Sequence, residues 1–496
     1  MNAVTLELRK TEATPVVEKP LELSLRETIL WIVVASTAFH AAYFSAWSAF
    51  LVVVYLFALL RLTCVSSSRK AFYTGLTVGL LIAVGRLDFF WHIFSVAALA
   101  LWLVYAFWIG LFVVMARLCL RPESPKWAFL LVPVIWCGLE YFRSELYYLR
   151  FSWLSPGLAF GMDPSWAPIG LLGSFGVGCL LMTIAEASAL VWTKSRTAAA
   201  GALVAGVAAL YATAQVTQEK SKSPPAASLQ VAGVQLEFPS EKEVIVWLNQ
   251  LVRRHPNAQL LVLSEYTFLH AIPESVKAWC REHQRYLLIG GEDPVANNQF
   301  YDTAFVIAPS GEIVFKQGKS VPIQFFNDGL PALEQRLWQS PWGKIGICIC
   351  YDLSYTRVTD QLVRLGAEML IVPTMDMIDW GKPQHALHAR VGPARAAEYH
   401  IPVLRVASSG ISQAIDATGK VICSVPCPGQ GAMLSASLAF SRSPRLPPDR
   451  WFAPPATVLT GLSFVALIGR EVLRNRKSKI CHAERKFKPS GKGRDV

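Results

Sequence analysis

Charge is scarce in this sequence. Only 17% of its 496 residues are charged, against 53% that are hydrophobic, and this balance excludes a single ordinary soluble globule. The apolar residues dominate the chain up to about residue 217, thin out, and return near residue 455. This distribution predicts a membrane-embedded region, then a globular region, then a short return to the membrane.

Cysteine spacing of the kind that binds metals is also absent. The ten cysteines are scattered, so we predict neither a metal nor any other cofactor. Cys423 and Cys427 could pair in an oxidising compartment, which the sequence leaves open. The first 25 residues lack the apolar core of a cleavable signal peptide, and we expect none.

The formal net charge is +12, but the position of the excess argues against nucleic-acid binding. Ten Lys and Arg residues against three acidic residues lie between Arg470 and Val496. No basic motif is interleaved with aromatic residues, as it is in many RNA- or DNA-binding segments. Basic residues beside a membrane span orient the chain or meet anionic lipid. We therefore expect the lipid bilayer, and no nucleic acid, as a partner.

Eight apolar stretches are each near the length that crosses a bilayer. Seven precede the globular part and one follows it, at 27–43, 45–61, 71–86, 91–117, 127–146, 165–193, 199–217 and about 453–470. Lys and Arg cluster after the second, fourth and sixth stretches, whereas the loop after the first has neither. The positive-inside rule then places both termini in the cytoplasm and the globular part outside it.

The polar segment Gln218–Pro225 contains two prolines and indicates a domain boundary. Beyond it, strand-like runs alternate with helical patterns, which favours α/β sheets with helices on their faces. The predicted strands are SLQVAGVQL, AQLLVLSEY, YLLIGG, TAFVIAP, KIGICICYD, EMLIVPT and IPVLRVASSG, and the predicted helices are Glu241–Arg253, Ser275–His283, Thr356–Gly366 and Gln384–Glu398.

The whole chain therefore has five predicted parts. They are a polar cytoplasmic N-terminus (1–26), a seven-span region (27–217), a globular domain (218–450), an eighth membrane helix (451–470) and a basic cytoplasmic tail (471–496).

The strongest local signal is KIGICICYDLSY, in which an apolar run ends at Cys350 and leads into a predicted helix. A cysteine at such an elbow presents its sulfur to a cleft, and the helix dipole favours the thiolate. A lone cysteine is more often an inert buried thiol, and we assign that role to Cys348.

An acid and two lysines, residue types that could assist a cysteine nucleophile, also follow strand-like runs. Glu265 ends the run LLVLSE and could act as a general base. Lys316 and Lys319 follow GEIVF, and either could stabilise a developing oxyanion. Taken singly, each of these side chains is more often a loop-facing or solvated charge.

The order Glu, Lys, Cys within one α/β domain resembles the carbon–nitrogen hydrolase (nitrilase) superfamily, whose catalytic trio follows that order. Such a domain behind a membrane bundle, with a final helix after it, resembles the bacterial apolipoprotein N-acyltransferase family. In the membrane part, Trp136, Glu140, Arg143 and Phe151-Ser152-Trp153 are similar to the family's Trp, Glu-x-x-Arg and Phe-Pro-Trp pattern. The resemblance implies a polytopic α-helical membrane bundle of about eight spans with an extracytoplasmic, nitrilase-like α-β-β-α sandwich.

The resemblance also implies a role for each residue of the trio. Glu265 would be the general base and Cys350 the nucleophile. Lys319 would be the catalytic lysine, because Pro322-Ile323-Gln324-Phe325 resembles the family's Leu-Val-Pro-Phe three residues after it. Lys316 is the runner-up.

Further residues are implied to support the site, and several positions depart from the family pattern. The supporting residues are Tyr351, Asp352, Asp376, Trp380, His385 and Glu398. We expect His385 to form hydrogen bonds rather than bind a metal. The departures are Ser264 in place of proline, Asp352 in place of glutamate, Phe326-Asn327-Asp328 in place of a Gly-Glu pair, and Asp376 in place of asparagine.

The implied function is N-acyl transfer from a phospholipid to the N-terminal amine of a diacylated lipoprotein through a cysteine thioester. It implies a multi-pass protein of the bacterial inner membrane with its catalytic domain on the periplasmic side. One alternative is a membrane-anchored amidase or nitrilase for a small substrate, and another is an inactive binding module. A wide, apolar, bilayer-facing cleft favours transfer, whereas a small, closed, polar pocket favours hydrolysis.

Overall fold

The first part of the chain is helical. The computed structural model describes residues 22–220 and 227–486. Its first eight helices are α1 (Leu25–Ala42), α2 (Leu51–Leu62), α3 (Ser68–Arg86), α4 (Phe89–Phe94), α5 (Ala97–Leu120), α6 (Leu131–Tyr141), α7 (Ile169–Trp192) and α8 (Arg196–Lys220). The predicted N-terminal region, the linker Gln218–Pro225 and the basic tail each lie partly outside the described residues.

Four helices among the described residues are long and apolar enough to cross a membrane. They are Ala97–Leu120, Ile169–Trp192, Arg196–Thr217 and the first part of the final helix, Asp449–Arg474. The predicted fourth span is broken near Ser95, whose φ of 50° ends α4 before α5 begins. The predicted fifth span consists of a 3-10 turn, α6 and a π-helical turn. The count of eight spans and the side of the membrane therefore stay predictions.

The globular part is an α/β domain with two six-stranded sheets, which confirms the predicted α/β class. Its strands are β1 (Ser228–Val234), β2 (Leu260–Val262), β3 (Tyr286–Pro294), β4 (Phe300–Ile307), β5 (Ile313–Gly318), β6 (Leu337–Ser340), β7 (Gly343–Ile347), β8 (Met369–Thr374), β9 (Val403–Ala407), β10 (Ser412–Ile415), β11 (Val421–Val425) and β12 (Met433–Ala439). The sheet orders are β12-β1-β2-β3-β4-β5 and β11-β10-β9-β8-β7-β6. In each sheet three neighbouring strands run parallel, β1-β2-β3 and β7-β8-β9.

Helices cover the outer faces of both sheets. They are α9 (Glu241–Arg254), α10 (Glu274–His283), α11 (Thr356–Leu365), α12 (Gly381–Ala389) and α13 (Val391–Tyr399), followed by the final helix α14 (Asp449–Lys486). One apolar core lies between the two sheets, and a second joins the first sheet to α9 and α10. A third core is continuous from α11 and α13 into the membrane-type helices. The four layers are therefore α-β-β-α, with one helical layer resting on the membrane part.

The parallel strands place their carboxyl ends at common edges of the two sheets. Glu265 follows β2, whereas Cys350 follows β7 and Asp376 follows β8. Ligand-binding residues of α/β folds gather at such edges. The topology thus brings segments from distant parts of the sequence to one place.

Candidate active site

Cys350 lies at a sharp turn directly after β7. Its φ is 51°, in the left-handed region that a residue with a side chain rarely adopts. The chain then continues as a 3-10 turn, Cys350–Ser354, into α11. The side chain is buried, and its Sγ lies 3.6 Å from the carbonyl oxygen of Met375. The unusual backbone conformation points to a functional constraint on this cysteine.

Glu265 and Lys319 meet beside this turn. Lys319 Nζ donates to Glu265 Oε1 over 2.7 Å, and both side chains are fully buried. The other carboxylate oxygen of Glu265 accepts a hydrogen bond of 2.5 Å from the backbone N–H of Met375. The N–H of Met375 therefore contacts the acid while its carbonyl contacts the Cys350 sulfur. The structure brings together all three residues of the expected trio.

Lys316, the alternative lysine, lies elsewhere. Its Nζ forms an ion pair with Asp293 at 2.9 Å and lies over the ring of Phe305 at 5.2 Å. Its side chain is 44% exposed, whereas that of Lys319 is 0% exposed. Of these two lysines, Lys319 is therefore the one that lies beside the Cys350 turn.

Two more acids that the sequence analysis did not assign to the site surround Lys319. Its Nζ lies 2.6 Å from Asp328 Oδ2 and 3.4 Å from Asp302 Oδ2. Oxygen atoms of Glu265, Asp302 and Asp328 lie within 4.8 Å of one another, a spacing that could hold a metal ion. The ammonium group of Lys319 lies among them and supplies the positive charge that a metal would bring. In the sequence, Asp328 is noted only as a departure from the family pattern, and Asp302 directly precedes the predicted strand TAFVIAP.

The charges of the trio fit proton transfer. Burial raises the pKa of the Cys350 thiol well above its usual range, and the charge of Glu265 adds to the effect. Burial opposes ionisation of Glu265, but the charge of Lys319 together with hydrogen bonds to the carboxylate gives a net lowering of its pKa. The resting state is thus a neutral thiol beside an ionised carboxylate. A carboxylate in this position can accept the thiol proton as the thiolate attacks a substrate.

Asp352 joins the Cys350 turn to the segment after Lys319. Its carboxylate accepts the backbone N–H groups of Ser320 at 3.1 Å and Val321 at 2.7 Å, and also that of Ile349 at 3.2 Å. Burial raises the pKa of Asp352 to about 6 despite these donors. The shorter acid at this position therefore still fixes the nucleophile turn against the lysine segment.

Asp376 organises a polar cluster next to the trio. Its carboxylate accepts His388 Nδ1 at 2.7 Å and Gln384 Nε2 at 3.1 Å, and it forms an ion pair with Arg405. Burial opposes its ionisation, but Arg405 and then His388 hold the pKa of Asp376 well below its usual range. Asp376 is therefore a structural anion that orients His388, a residue that the sequence analysis did not select.

A large apolar cavity opens directly onto Cys350. Its empty space measures about 1020 Å³, including the part that opens to the outside. The membrane-helical part supplies one wall through α4, α5 and the segment 143–153, and the α/β domain supplies the other. About half of the lining residues are aromatic, namely Phe89, Phe90, Phe94, Tyr105, Trp108, Phe151, Trp153, Phe325, Phe326, Tyr351 and Trp380. Two predicted supporting residues, Tyr351 and Trp380, thus line this cavity together with Cys350.

Comparison with known proteins agrees with this division of the chain. Residues 29–187 match the family described as "Apolipoprotein N-acyltransferase N-terminal domain", and residues 225–441 match "Carbon-nitrogen hydrolase". The chain belongs to the apolipoprotein N-acyltransferase family. It is therefore a membrane-associated member of the nitrilase superfamily, and an enzyme of either the acyltransferase or the hydrolase type.

Individual relatives cover different shares of the chain. An apolipoprotein N-acyltransferase from Shewanella oneidensis is 23% identical over 90% of this chain and 96% of its own length. A deaminated glutathione amidase from Dictyostelium discoideum is 27% identical over 31% of this chain and 61% of its own length. The crystal structure of a carbon-nitrogen hydrolase from Helicobacter pylori has 18% identity and a TM-score of 0.38, covering 43% of this chain and 89% of that one.

Two of the predicted supporting residues lie away from the cavity of this family member. His385 contacts Cys427 Sγ through Nδ1 and the carbonyl of Met377 through Nε2 at 2.9 Å. Cys427 and Cys423 are both free thiols in the structure. His388, three residues further on, lines the cavity instead.

Glu398 belongs to a buried ion network on the side of the membrane part. It accepts Arg395 Nη1 at 2.5 Å, Arg450 Nη2 at 3.0 Å and the backbone N–H of Ser174 at 2.7 Å. Arg395 in turn donates to the carbonyl of Ser354, at the end of the nucleophile turn, over 2.8 Å. Glu398 thus connects α7 and α14 to the base of the Cys350 turn without contacting the cavity.

Proposed function

We propose that this protein transfers a fatty acyl chain from a phospholipid to the N-terminal amine of a diacylglyceryl-cysteine lipoprotein. Cys350 would be the nucleophile, Glu265 the general base and Lys319 the oxyanion donor. The names of relatives such as the Shewanella oneidensis protein support lipoprotein N-acylation. The acyl donor and the covalent intermediate are inferred from the residues and the cavity.

The observation that carries this proposal is the apolar cavity at Cys350. A small, closed, polar pocket would favour an amidase, whereas this space is lined mainly by aromatic and aliphatic side chains from both parts of the chain, with a few polar ones among them. Long acyl chains gain about 0.8 kcal/mol for each CH₂ group that leaves water. A cavity shared with membrane helices can admit such a chain while its ester group meets the Cys350 sulfur. This supports acyl transfer over hydrolysis of a small amide.

The proposed reaction has two halves. Glu265 takes the proton of Cys350 as the sulfur attacks the ester carbonyl, and Lys319 stabilises the resulting oxyanion. The C–O bond of the ester breaks, Glu265 returns the proton to the leaving oxygen, and lysophospholipid departs. The acceptor amine then attacks the thioester, Glu265 takes its proton, and the Cys350 thiolate leaves and is reprotonated. No cofactor is required at either half.

We further propose that the α/β domain lies on the extracytoplasmic side of the bacterial inner membrane. Basic residues follow the second, fourth and sixth apolar stretches, and the polybasic C-terminal segment agrees with that orientation. A periplasm-active reporter inserted in the linker after α8 should be active, and the same reporter after Lys194 should be inactive. The reverse pattern would place the domain in the cytoplasm.

The function is tested by incubating purified protein with phospholipid and a diacylated lipopeptide. Mass spectrometry should detect a triacylated peptide and lysophospholipid in equal amounts. Cys350→Ser should nearly abolish the product, because an alkoxide forms far less readily than a thiolate. Cys348→Ser is the matched control, since Cys348 is buried in the same segment.

Other outcomes would identify the rival functions. Hydrolysis of small amides with phospholipid left intact would indicate an amidase. Tight lipopeptide binding with no acylated product from the wild-type protein would indicate a binding module. Either result would contradict the proposal.

A further inference from the structure

Asp302 is a buried carboxyl group that the catalytic trio does not account for. It lies in β4, in the same sheet as the strand that precedes Glu265, and is 0% exposed. Neither side-chain oxygen receives a hydrogen bond from a residue that the structure describes. Lys319 Nζ is 3.4 Å from Asp302 Oδ2, which is longer than a strong charge-assisted hydrogen bond. Burying an ionised carboxylate with so few hydrogen-bond donors is unfavourable in free energy.

The two neighbouring acids are much better supported as anions. Glu265 accepts one bond from Lys319 and one from the backbone N–H of Met375. Asp328 accepts the hydroxyl of Tyr266 at 2.9 Å and the backbone N–H of Ile323 at 2.6 Å, besides its ion pair with Lys319. Each therefore has at least two donors.

One ammonium group cannot balance three carboxylates in this space. Oxygens of Glu265, Asp302 and Asp328 lie within 4.8 Å of one another. When like charges share a buried site, the group with the least support keeps its proton. By the count of donors that group is Asp302.

We propose that Asp302 remains protonated in the resting protein, donates its O–H to Glu265, and thereby positions the general base. Side-chain oxygens of the two carboxyl groups lie within 4.8 Å of each other, and two carboxyl groups can share a hydrogen bond only if one of them carries a hydrogen. Burial, reinforced by the charge of Glu265, raises the pKa of Asp302 well above its usual range. Asp302 is a positioning residue, because it acts through Glu265 rather than on the substrate. The inference rests on the proposed role of Glu265 as the base.

A neutral Asp302 also keeps Lys319 available for catalysis. Two of the three ammonium hydrogens are engaged by Glu265 and Asp328. An anionic Asp302 would attract the third, whereas a protonated acid leaves it free for a developing oxyanion. The protonation state of Asp302 therefore bears on both the base and the oxyanion donor.

The test compares Asp302→Asn with Asp302→Ala. Asparagine is neutral, nearly the same size, and can donate an N–H to Glu265, so acyl transfer should stay within about threefold of wild type. Alanine removes the donor, and transfer should fall about 10- to 100-fold because the base is misplaced. Alkylation of Cys350 by iodoacetamide needs neither lipid nor acceptor. Its rate should also fall more in the Asp302→Ala variant than in the Asp302→Asn variant.

Infrared spectroscopy reports the proton itself. The carbonyl of a protonated carboxylic acid absorbs at a different infrared frequency from a carboxylate. The wild-type-minus-Asp302→Asn difference spectrum at neutral pH should therefore show the acid carbonyl band. The wild-type-minus-Asp328→Asn spectrum should show carboxylate bands instead. If Asp302→Ala does not fold, the asparagine variant and this spectrum still decide the question.

Two results would overturn the inference. One is an asparagine variant as impaired as the alanine variant, and the other is a carboxylate signature for Asp302. If the wild-type protein transfers no acyl chain, the proposed function fails, but the infrared result still decides whether Asp302 holds the proton. The two failures are thus distinguishable.

Discussion

The indole ring of Trp153 stacks on the imidazole ring of His388, with centroids 4.7 Å apart and planes 18° from parallel. Trp153 belongs to the segment between the membrane-type helices, and His388 lies in α12 of the catalytic domain. Trp153 Nε1 also donates to Ser354 Oγ, in the nucleophile turn, over 2.9 Å. Both residues line the cavity at Cys350. The membrane-type helical part therefore forms one wall of the candidate active site.

Filling the cavity from its membrane side should block lipid without disturbing the trio. Val104 in α5 lines the cavity, and Val104→Trp places an indole where an acyl chain would lie. We expect phospholipid-dependent transfer to fall about tenfold or more, because the space is lost. Alkylation of Cys350 by iodoacetamide should change little. The control is Val204→Trp, at an exposed position of α8, which should leave both rates unchanged; equal loss in both variants would contradict a cavity-specific role.

The choice of lysine has a direct test. Lys319→Ala should reduce transfer by about 10²–10³, the usual loss for one oxyanion donor. Lys316→Ala should retain most activity, since that lysine pairs with Asp293 on the surface. Single-turnover rates measure the effect on catalysis. Size-exclusion chromatography shows whether each variant is folded, which separates that effect from a loss of stability. A more severe loss of transfer in the Lys316→Ala variant would assign the catalytic role to Lys316 instead.

A glycine behind Glu265 should be intolerant of a methyl group. A Cβ at Gly290 would lie 2.6 Å from Glu265 Cα and 2.7 Å from the carbonyl oxygen of Ser264, both backbone atoms. Gly290→Ala should displace Glu265 and lower the rate by about 10²-fold, as misplaced catalytic groups do. Gly201→Ala, with open space around its Cβ, should be neutral. Wild-type kinetics in the Gly290 variant would show that this close packing does not position the base.

Glu398 should make the protein sensitive to acid. Burial alone would raise its pKa, but Arg395 and Arg450 outweigh it and lower the pKa of Glu398 from 4.5 to about 2. A lowered folded-state pKa gives stability that is present above the unfolded value and is lost as pH falls toward the folded one. Thermal inactivation in detergent should therefore occur at lower temperature as pH drops from about 4.5 toward 2.

The Glu398→Gln variant tests the origin of this acid sensitivity. It should inactivate at lower temperature than wild type at pH 7, because Arg395 and Arg450 lose a buried counter-charge. When the pH is lowered, the inactivation temperature of this variant should also fall less than that of the wild-type protein. Glu312→Gln, at an exposed carboxylate, is the control and should match wild type. A wild-type acid profile in the Glu398 variant would contradict the account of this network.

Much of the catalytic domain follows from local pattern. The runs at β1, β3, β8 and β9 are apolar or alternating, and each forms the predicted strand. The strands β6, β10 and β11 have only four or five residues each, too few for their hydrophobic periodicity to stand out from the surrounding loops. The predicted helix Gln384–Glu398 is two helices, α12 and α13, separated at Arg390.

The site was predictable in its members but not in its surroundings. Glu265 and Cys350 each end an apolar run, and parallel strands bring such ends together. Asp302 lies within a strand, where alternation alone does not say which face is buried beside Lys319. The contribution of Trp153 depends on how the membrane helices pack against α12, which no local pattern records. Long-range packing therefore supplied what the sequence analysis missed.

The acyl-enzyme is the most direct measurement of the central claim. Wild-type protein incubated with phospholipid alone should gain the mass of one acyl group on the peptide containing Cys350. Neutral hydroxylamine should remove it, because thioesters are cleaved where ordinary esters and amides persist. Adding a diacylated lipopeptide should discharge the adduct and yield the triacylated product, with no adduct in Cys350→Ser. An adduct on Cys348, or full transfer activity in the Cys350 variant, would contradict the account.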